Sequence, residues 1–210
     1  MYIVSVISQK GGAGKTTLAV NLAVAAQQSG KEVAVIDLDP QASAASWGDA
    51  RQGEPPSVVS AQPARLPLVI EVAEKAGAEL ILIDTAPHSE SVALAAARAA
   101  ELVLIPCRPA IFDLRSIQST LTLAELAKKR AAVVLNAVPP QGSIGTEAER
   151  ALKGLHAEVV PAQMTQRVAY MYSLTNAQGV CEYEPSGKAS REVNRLLRWM
   201  LKALGEKGTK

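Results

Sequence analysis

A glycine-rich loop near the start of the chain constrains the fold more than any other segment. It spans residues 8–17, follows a short apolar run over residues 3–7 and precedes an alanine-rich stretch over residues 18–28. A buried strand, a glycine-rich turn and a helix in this order are typical of phosphate-binding loops, because glycine lets backbone N–H groups approach phosphate oxygens. The partial positive charge at the start of the helix favours the same anion.

Two side chains of this loop suit a nucleotide with a divalent cation. In the general pattern the lysine at the end of the loop, here Lys15, reaches the β- and γ-phosphates, and the hydroxyl group of Thr16 can bind Mg²⁺. The general pattern also has a glycine at the position of Gln9, and this chain has a second lysine, Lys10, beside it instead. The loop therefore predicts a nucleotide site of a non-standard form.

Two later apolar runs end in aspartate. The first is closed by Asp37 and Asp39, and the second, over residues 80–83, is closed by Asp84. The carboxyl ends of parallel strands face the ligand in an open α/β sheet, and a carboxylate there can hold Mg²⁺, usually through water. We therefore expect these side chains at the nucleotide site. The alternative for Asp37 and Asp39 is a pair of turn or helix-capping residues.

The composition agrees with an α/β fold. Of the 210 residues, 48% are apolar and only 3% are aromatic, which suits alanine-rich helices packed on a mostly parallel central sheet. We expect one domain over residues 1–204 and a polar tail over residues 205–210. The net charge of +2 is too small to imply a polyanionic partner by itself, so any contact with DNA must come from a local basic patch.

One helix is predicted in the middle of the chain from its end signals. Asp113 is the expected N-cap of a helix over residues 113–129, and Lys128, Lys129 and Arg130 are expected to complement the negative end of its dipole.

Three motifs together resemble the ParA/MinD family of dimerising ATPases. They are Lys-Gly-Gly-Ala-Gly-Lys-Thr-Thr from Lys10, Asp-Leu-Asp-Pro-Gln from Asp37 and Asp-Thr-Ala-Pro from Asp84. The first is similar to the deviant Walker A motif of that family, and the others to its two switch regions. The resemblance covers nearly the whole chain and implies a P-loop NTPase fold, ATP and Mg²⁺ as cofactors, and the short ParA-like form of the ParF and Soj type.

The resemblance also implies roles for individual residues. Lys10 would cross the interface of an ATP-bound homodimer to touch the partner's nucleotide, and Asp39 would orient the attacking water. Asn136, at the end of a later strand, would contact the base, with residues 162–164 on the adenine side. The implied catalytic residues are Lys10, Lys15 and Asp39, and the implied metal-site residues are Thr16, Asp37 and Asp84. The implied ATP contacts are Lys10, Gly11, Gly12, Ala13, Gly14, Lys15, Thr16, Thr17 and Asn136.

The last predicted helix, over residues 188–204, has one apolar and one basic face. The apolar face comprises Val193, Leu196, Leu197, Met200, Leu201 and Leu204, and the basic face comprises Arg191, Arg195, Arg198 and Lys202. Three interpretations remain open. The helix packs on the core with a solvated basic face, or that face also binds the DNA backbone as in ParA-type proteins, or the helix lies on a membrane as in MinD. The membrane interpretation is the least favoured, because the fold needs the apolar stripe.

The resemblance implies an ATPase that dimerises with ATP, binds DNA non-specifically and segregates plasmid or chromosomal DNA. The alternatives are a positioning ATPase for a protein cargo, such as a carboxysome or chemoreceptor cluster, and a membrane-associated regulator of the MinD kind. A centromere-binding protein of the ParB or ParG kind, or a cargo adaptor, would stimulate hydrolysis. The expected location is the cytoplasm, on the nucleoid.

Overall fold

A seven-stranded sheet, in which all strand pairs are parallel, runs through the centre of the chain in the order β3-β2-β4-β1-β5-β6-β7. The computed structural model describes residues 1–205, with side chains except those of residues 111–115. Residues 206–210 of the predicted tail, and the side chain of Asp113, therefore lie outside the described part. The strands are β1 Tyr2–Val6, β2 Val33–Asp37, β3 Ser57–Ser60, β4 Leu80–Asp84, β5 Leu102–Cys107, β6 Arg130–Leu135 and β7 Glu158–Val159.

Helices follow most of the strands and cover both faces of the sheet. A single 3-10 turn, Pro63–Arg65, precedes the third helix. The helices are α1 Lys15–Gln28, α2 Ser43–Ala50, α3 Leu66–Lys75, α4 Glu90–Ala99, α5 Ile111–Leu126, α6 Ile144–Gly154, α7 Val168–Thr175, α8 Val180–Tyr183 and α9 Lys188–Ala203.

The core has two layers because side chains alternate across each strand. On β1, Val4 and Val6 join the layer packed against α1, α2, α7, α8 and α9. Ile3 on the same strand joins the opposite layer, which contains apolar residues of α3, α4, α5 and α6. Nearly all of these strand residues are fully buried, so the sheet is a rigid platform for the loops at its carboxyl edge.

The predicted fold class, a mostly parallel central sheet flanked by helices, is confirmed, but the ends of one helix differ from the prediction. Helix α5 begins at Ile111, so Asp113 lies inside the helix and is not its N-cap. The basic residues predicted for its last turn are not there either, because α5 ends at Leu126. Arg130 instead begins β6 and forms an ion pair with Glu158 of β7, with Nη2 2.6 Å from Oε1.

Helix α9 has the two faces predicted for it. The residues Val193, Leu196, Leu197 and Met200 are buried in the core, which confirms that the helix packs on the domain. The four basic residues Arg191, Arg195, Arg198 and Lys202 are all exposed. Within residues 1–205, no helix combines the length and the hydropathy needed to cross a bilayer.

Candidate nucleotide-binding site

The glycine-rich loop leaves the carboxyl end of β1 at the middle of the sheet and leads into α1. Gly12 and Gly14 have φ angles of 71° and 95°, in the left-handed region that favours glycine. A Cβ atom at Gly14 would lie 2.0 Å from the Nδ2 atom of Asn136, so only glycine fits this close approach. Helix α1 begins directly afterwards, and the Leu18 amide donates to the Gly14 carbonyl oxygen at 2.9 Å.

Lys15 is buried at the base of this loop. Its Nζ atom donates to the carbonyl oxygen of Lys10 at 3.4 Å. Burial lowers the pKa of Lys15, and the carboxylates of Asp84 and Asp39 act in the opposite direction. A buried ammonium group beneath a turn rich in backbone N–H groups favours an anion above the loop.

Asp84 and Thr16 form the oxygen-rich part of the site. The Thr16 hydroxyl donates to Oδ2 of Asp84 at 2.6 Å, and the Thr85 amide donates to Oδ1 at 3.0 Å. Burial raises the pKa of Asp84 to about 7, with a further contribution from Asp37 and with Lys15 and the hydrogen bonds opposing it. A hydroxyl and a buried carboxylate this close together are hard oxygen donors of the kind Mg²⁺ prefers, and a cation would favour the ionised carboxylate. The residues present therefore fit Mg²⁺.

Asp37 lies opposite Asp84 in the pairing of β2 with β4, and it is fully buried. Its Oδ1 atom accepts the amide of Asp39 at 2.9 Å, and its Oδ2 atom accepts the amide of Ala45 in the first turn of α2 at 3.0 Å. Asp37 therefore makes a contact of the helix-capping kind, which was the alternative to a role at the metal site. Its part in the Mg²⁺ shell stays a prediction.

Asp39 lies in the loop between β2 and α2. Its Oδ1 atom accepts the Gln41 amide at 2.9 Å, which is the turn contact left open above. The side chain is half-buried, and its charge acts on the Lys15 ammonium group. Asp39 therefore lies within electrostatic reach of Lys15, and its role toward water stays a prediction.

A cleft of 340 Å³ extends from the loop towards α7. Gly12, Gly14, Thr17 and Asn136 line its phosphate end, where Nδ2 of Asn136 donates to the Ala13 carbonyl oxygen at 2.7 Å. Asn136 therefore connects the glycine-rich loop to the end of β6. The remaining lining residues are Arg108, Ala137, Thr165, Gln166, Arg167, Tyr170, Met171 and Leu174. Those within residues 165–171 form what we call the far wall of the cleft.

The predicted adenine-side segment, residues 162–164, does not line this cleft. Of residues 162–164, Ala162 and Met164 are buried in the core layer on the α1 side of the sheet. Residues 165–167 line the cleft in their place. The Met164 amide donates to the Leu135 carbonyl oxygen at 2.9 Å, so the chain stays beside β6 beyond the end of β7.

Sequence reasoning missed the side chains that build this far wall. Arg167 and Tyr170 both line the cleft, and both contact Glu192 of α9. None of these residues belongs to a short motif, and their spacing carries no signal. The predicted basic residues of α9 do not contribute to the described lining of the cleft.

Comparisons with known proteins also indicate a nucleotide-binding domain. A model of the CobQ/CobB/MinD/ParA nucleotide binding domain matches residues 4–177. The chain is 35% identical to the maintenance of carboxysome distribution protein A of Gloeobacter kilaueensis over 194 residues, covering 91% of this chain and 88% of that protein. It is 32% identical to Protein ParA of Rhizobium radiobacter over 184 residues, covering 81% of each.

The fold is also found among solved structures. The septum site-determining protein MinD of Pyrococcus horikoshii superposes with a TM-score of 0.75 at 21% identity, over 100% of this chain and 99% of that one. The family match spans the phosphate loop, all three aspartates and Asn136. The chain therefore belongs to the CobQ/CobB/MinD/ParA nucleotide-binding domain family.

Proposed function

We propose that this chain is a ParA-type ATPase that uses ATP and Mg²⁺. The observation that carries this proposal is the buried Lys15 beneath the glycine-rich loop, next to the Thr16–Asp84 pair. The MinD structure described above is a complex with Mg-ADP, which supports the same ligands here. Thr16 and Asp84 would hold Mg²⁺ with Asp37 behind them, and the cation would offset negative charge on the phosphates.

The chain's own residues supply the rest of the reaction. Lys15 and the loop amides bind the phosphates and stabilise the charge that develops during transfer. Asp39, held in its turn beside the Lys15 charge, orients the attacking water. Lys10 of each subunit reaches the nucleotide of the other in an ATP-bound homodimer, and closure excludes water from the phosphates.

The dimer proposal is tested by comparing the two lysines. Lys10→Ala should still bind nucleotide as a monomer, yet lose dimerisation with ATP and lose turnover. Lys15→Ala should lose nucleotide binding itself. Sedimentation with and without ATP, together with phosphate release, separates the two outcomes. Full turnover by Lys10→Ala would remove the role of Lys10 across the interface.

Non-specific DNA binding is proposed for the basic face of α9. All four of its basic side chains are exposed on one helix, and lysine and arginine that neutralise phosphates release counterions. Changing Arg195 and Arg198 together to alanine should lower the slope of log affinity against log salt by about one unit per lost phosphate contact. Arg65 and Arg98, exposed on the opposite face of the sheet, provide a matched control pair. An unchanged slope would show that the basic face of α9 is solvated and does not contact DNA.

Segregation of plasmid or chromosomal DNA on the nucleoid is the proposed biological output, with a ParB- or ParG-like protein as the stimulating partner. The likeness to Protein ParA supports it. Positioning of a protein cargo is the second candidate, and the likeness to a carboxysome distribution protein favours it. The two share the nucleotide switch and the DNA matrix and differ in the adaptor that stimulates hydrolysis.

The deciding experiment uses Asp39→Ala, which should be held in the ATP-bound state. Its binding to duplex DNA of arbitrary sequence is measured with ATP and with ADP, with liposomes in parallel. Asp49→Ala, an exposed carboxylate change on α2, is the control. DNA binding with ATP but not ADP supports the ParA-type function. Binding to liposomes with ATP, without DNA binding, would transfer the function to the MinD kind.

A further inference from the structure

A buried carboxylate of α9 contacts the far wall of the nucleotide cleft. Glu192 is only 9% exposed. Its Oε2 atom accepts the Thr165 amide at 3.1 Å and the Tyr170 hydroxyl at 3.2 Å. Its Oε1 atom accepts Nε and Nη2 of Arg167 at 3.0 and 2.7 Å. All three partners line the cleft, so a single side chain holds that wall.

Three donor residues surround the Glu192 carboxylate, and it acts on the pKa of two of them. The bond to Glu192 raises the pKa of Arg167. Burial, and then the Glu192 charge, raise the pKa of Tyr170, so the phenol remains a donor. A buried carboxylate satisfied by several donors is held in one geometry, because moving it would leave a charge unpaired.

Glu192 shares its helix with the basic face. Arg191 is the neighbouring residue and Arg195 lies one helical turn further on, and both are exposed. A helix moves as a stiff unit with a rise of about 1.5 Å per residue. A displacement of the cleft wall that pulls on Glu192 therefore also displaces these cations.

We propose that Glu192 is a positioning residue that couples nucleotide binding to DNA binding, by tying the far wall of the cleft to the basic face of α9. The proposal rests on the proposed function and adds the regulation of that same site. Coupling of this kind is a difference in binding free energy and acts equally in both directions. Nucleotide should therefore strengthen DNA binding, and DNA should strengthen nucleotide binding, by the same factor.

A second buried ion pair provides the contrast. Arg51, which follows α2, forms an ion pair with Glu182 of α8, with Nη2 2.8 Å from Oε1. Arg51 also donates to the carbonyl oxygens of Ala177 and Pro55. Neither Arg51 nor Glu182 lines the cleft, and neither lies on α9. Glu182→Gln therefore removes one charge from a buried pair and leaves the wall untouched.

The test measures the ratio of DNA dissociation constants without and with a non-hydrolysable ATP analogue at saturation. Glu192→Gln keeps the size of the side chain and removes its charge. It should reduce the ratio about fivefold or more, while Glu182→Gln should keep the wild-type ratio. A loss of negative charge beside the basic face strengthens DNA binding in both states, so the ratio cancels that effect. Nucleotide affinity with and without DNA should change by the same factor.

Tyr170→Phe keeps the buried ring and removes one donor to Glu192, so it decides the question if Glu192→Gln does not fold. It should lower the ratio in the same direction by a smaller factor. An unchanged ratio in a folded Glu192→Gln or Tyr170→Phe variant would overturn the coupling role alone. If the analogue does not change the DNA affinity of the wild-type chain, the proposed function is overturned and the coupling with it.

Discussion

The two walls of the nucleotide cleft are built in different ways. The phosphate wall comes almost entirely from one continuous segment, residues 8–17, whose last residues begin α1, with Asn136 added from the end of β6. The far wall, over residues 165–171, depends on Glu192, which is 27 residues away from its contact at Thr165. The phosphate wall takes its shape from local backbone geometry, whereas the far wall takes its shape from tertiary contacts.

Because they are built differently, the two walls suit different tasks. A loop defined by glycine φ angles and by one buried lysine has little freedom, which suits the fixed demands of phosphate chemistry. A wall held by hydrogen bonds to another helix can move with that helix. The first wall is therefore suited to chemistry, and the second to communication with the surface.

The largest expected effect is the loss of the phosphate wall's charge. Lys15→Ala should weaken binding of an ATP analogue by at least about 100-fold, since a charge-assisted hydrogen bond contributes about 1.5–3 kcal/mol and the ammonium also offsets phosphate charge. The chain should remain folded, because a buried ammonium is itself costly. Isothermal titration calorimetry measures the affinity. Tight binding by this variant would contradict the assignment of the loop.

The next effect is a pH dependence that arises from Asp84. The pKa of this carboxyl group is about 7 in the folded chain, whereas its ordinary value is 3.8. Between these two pH values the folded chain keeps the group protonated. The folded state therefore binds more protons in that window, and the free energy of unfolding falls as pH rises through it. Asp84→Asn should not show this fall in stability and, without metal, should be more stable than the wild type at pH 8 by up to about 4 kcal/mol.

The wild type and Asp84→Asn, compared at a lower pH, provide the control for this prediction. Near pH 4 both side chains are neutral, so chemical denaturation should give nearly equal stabilities there. Mg²⁺ with nucleotide should stabilise the wild type at pH 8 and have less effect on Asp84→Asn. A difference that does not change between pH 4 and pH 8 would contradict the raised pKa.

A smaller effect is expected from the geometry of the loop. Gly14→Ala places a Cβ atom against Nδ2 of Asn136 at a φ of 95°, and the left-handed conformation alone costs about 1–2 kcal/mol. We expect a loss of about 2–3 kcal/mol in unfolding free energy. Gly11→Ala is the control, because no atom lies within 4 Å of its Cβ position. Equal losses in both variants would refute the steric argument.

The smallest effect concerns the side chain that connects the loop to β6. Asn136→Ala leaves the carbonyl oxygen of Ala13 and the amide of Ala137 without their present partner, which should cost about 1–2 kcal/mol. Combined with Gly14→Ala, it should cost less than the sum of the single changes, because the overlap disappears. Strict additivity in this double-mutant cycle would show that the two residues do not interact.

The same comparison explains which parts of the site are visible in the sequence. Lys15, Thr16 and Asp84 could be predicted because phosphate and Mg²⁺ need particular groups at fixed places along a strand, loop and helix. Residues 162–164 do not line the cleft, because the pairing of the Met164 amide with β6, a tertiary contact that no motif signals, decides where that loop begins.

Other elements were hidden for reasons of size or pattern. Helix α8, Val180–Tyr183, is too short to show a helical period. Glu192 lies on a helix whose apolar and basic stripes dominate its pattern, so a single buried acid among them gives no signal. The fold class was predictable, since long apolar runs and glycine breaks reflect burial directly.

Helix α2 is fastened at both ends. Asp37 holds its first turn through the Ala45 amide, and Arg51, directly after its last residue, is anchored to Glu182. The connection between the sheet and this helix is therefore confined to residues 38–42, which include Asp39. Its backbone amides are hydrogen-bonded, among them that of Leu38 to Asp84 and that of Ala42 to Asp39. If Asp39 acts on the nucleotide as proposed, a connection this short would pass its movement to α2 by tilting the whole helix, without unfolding it.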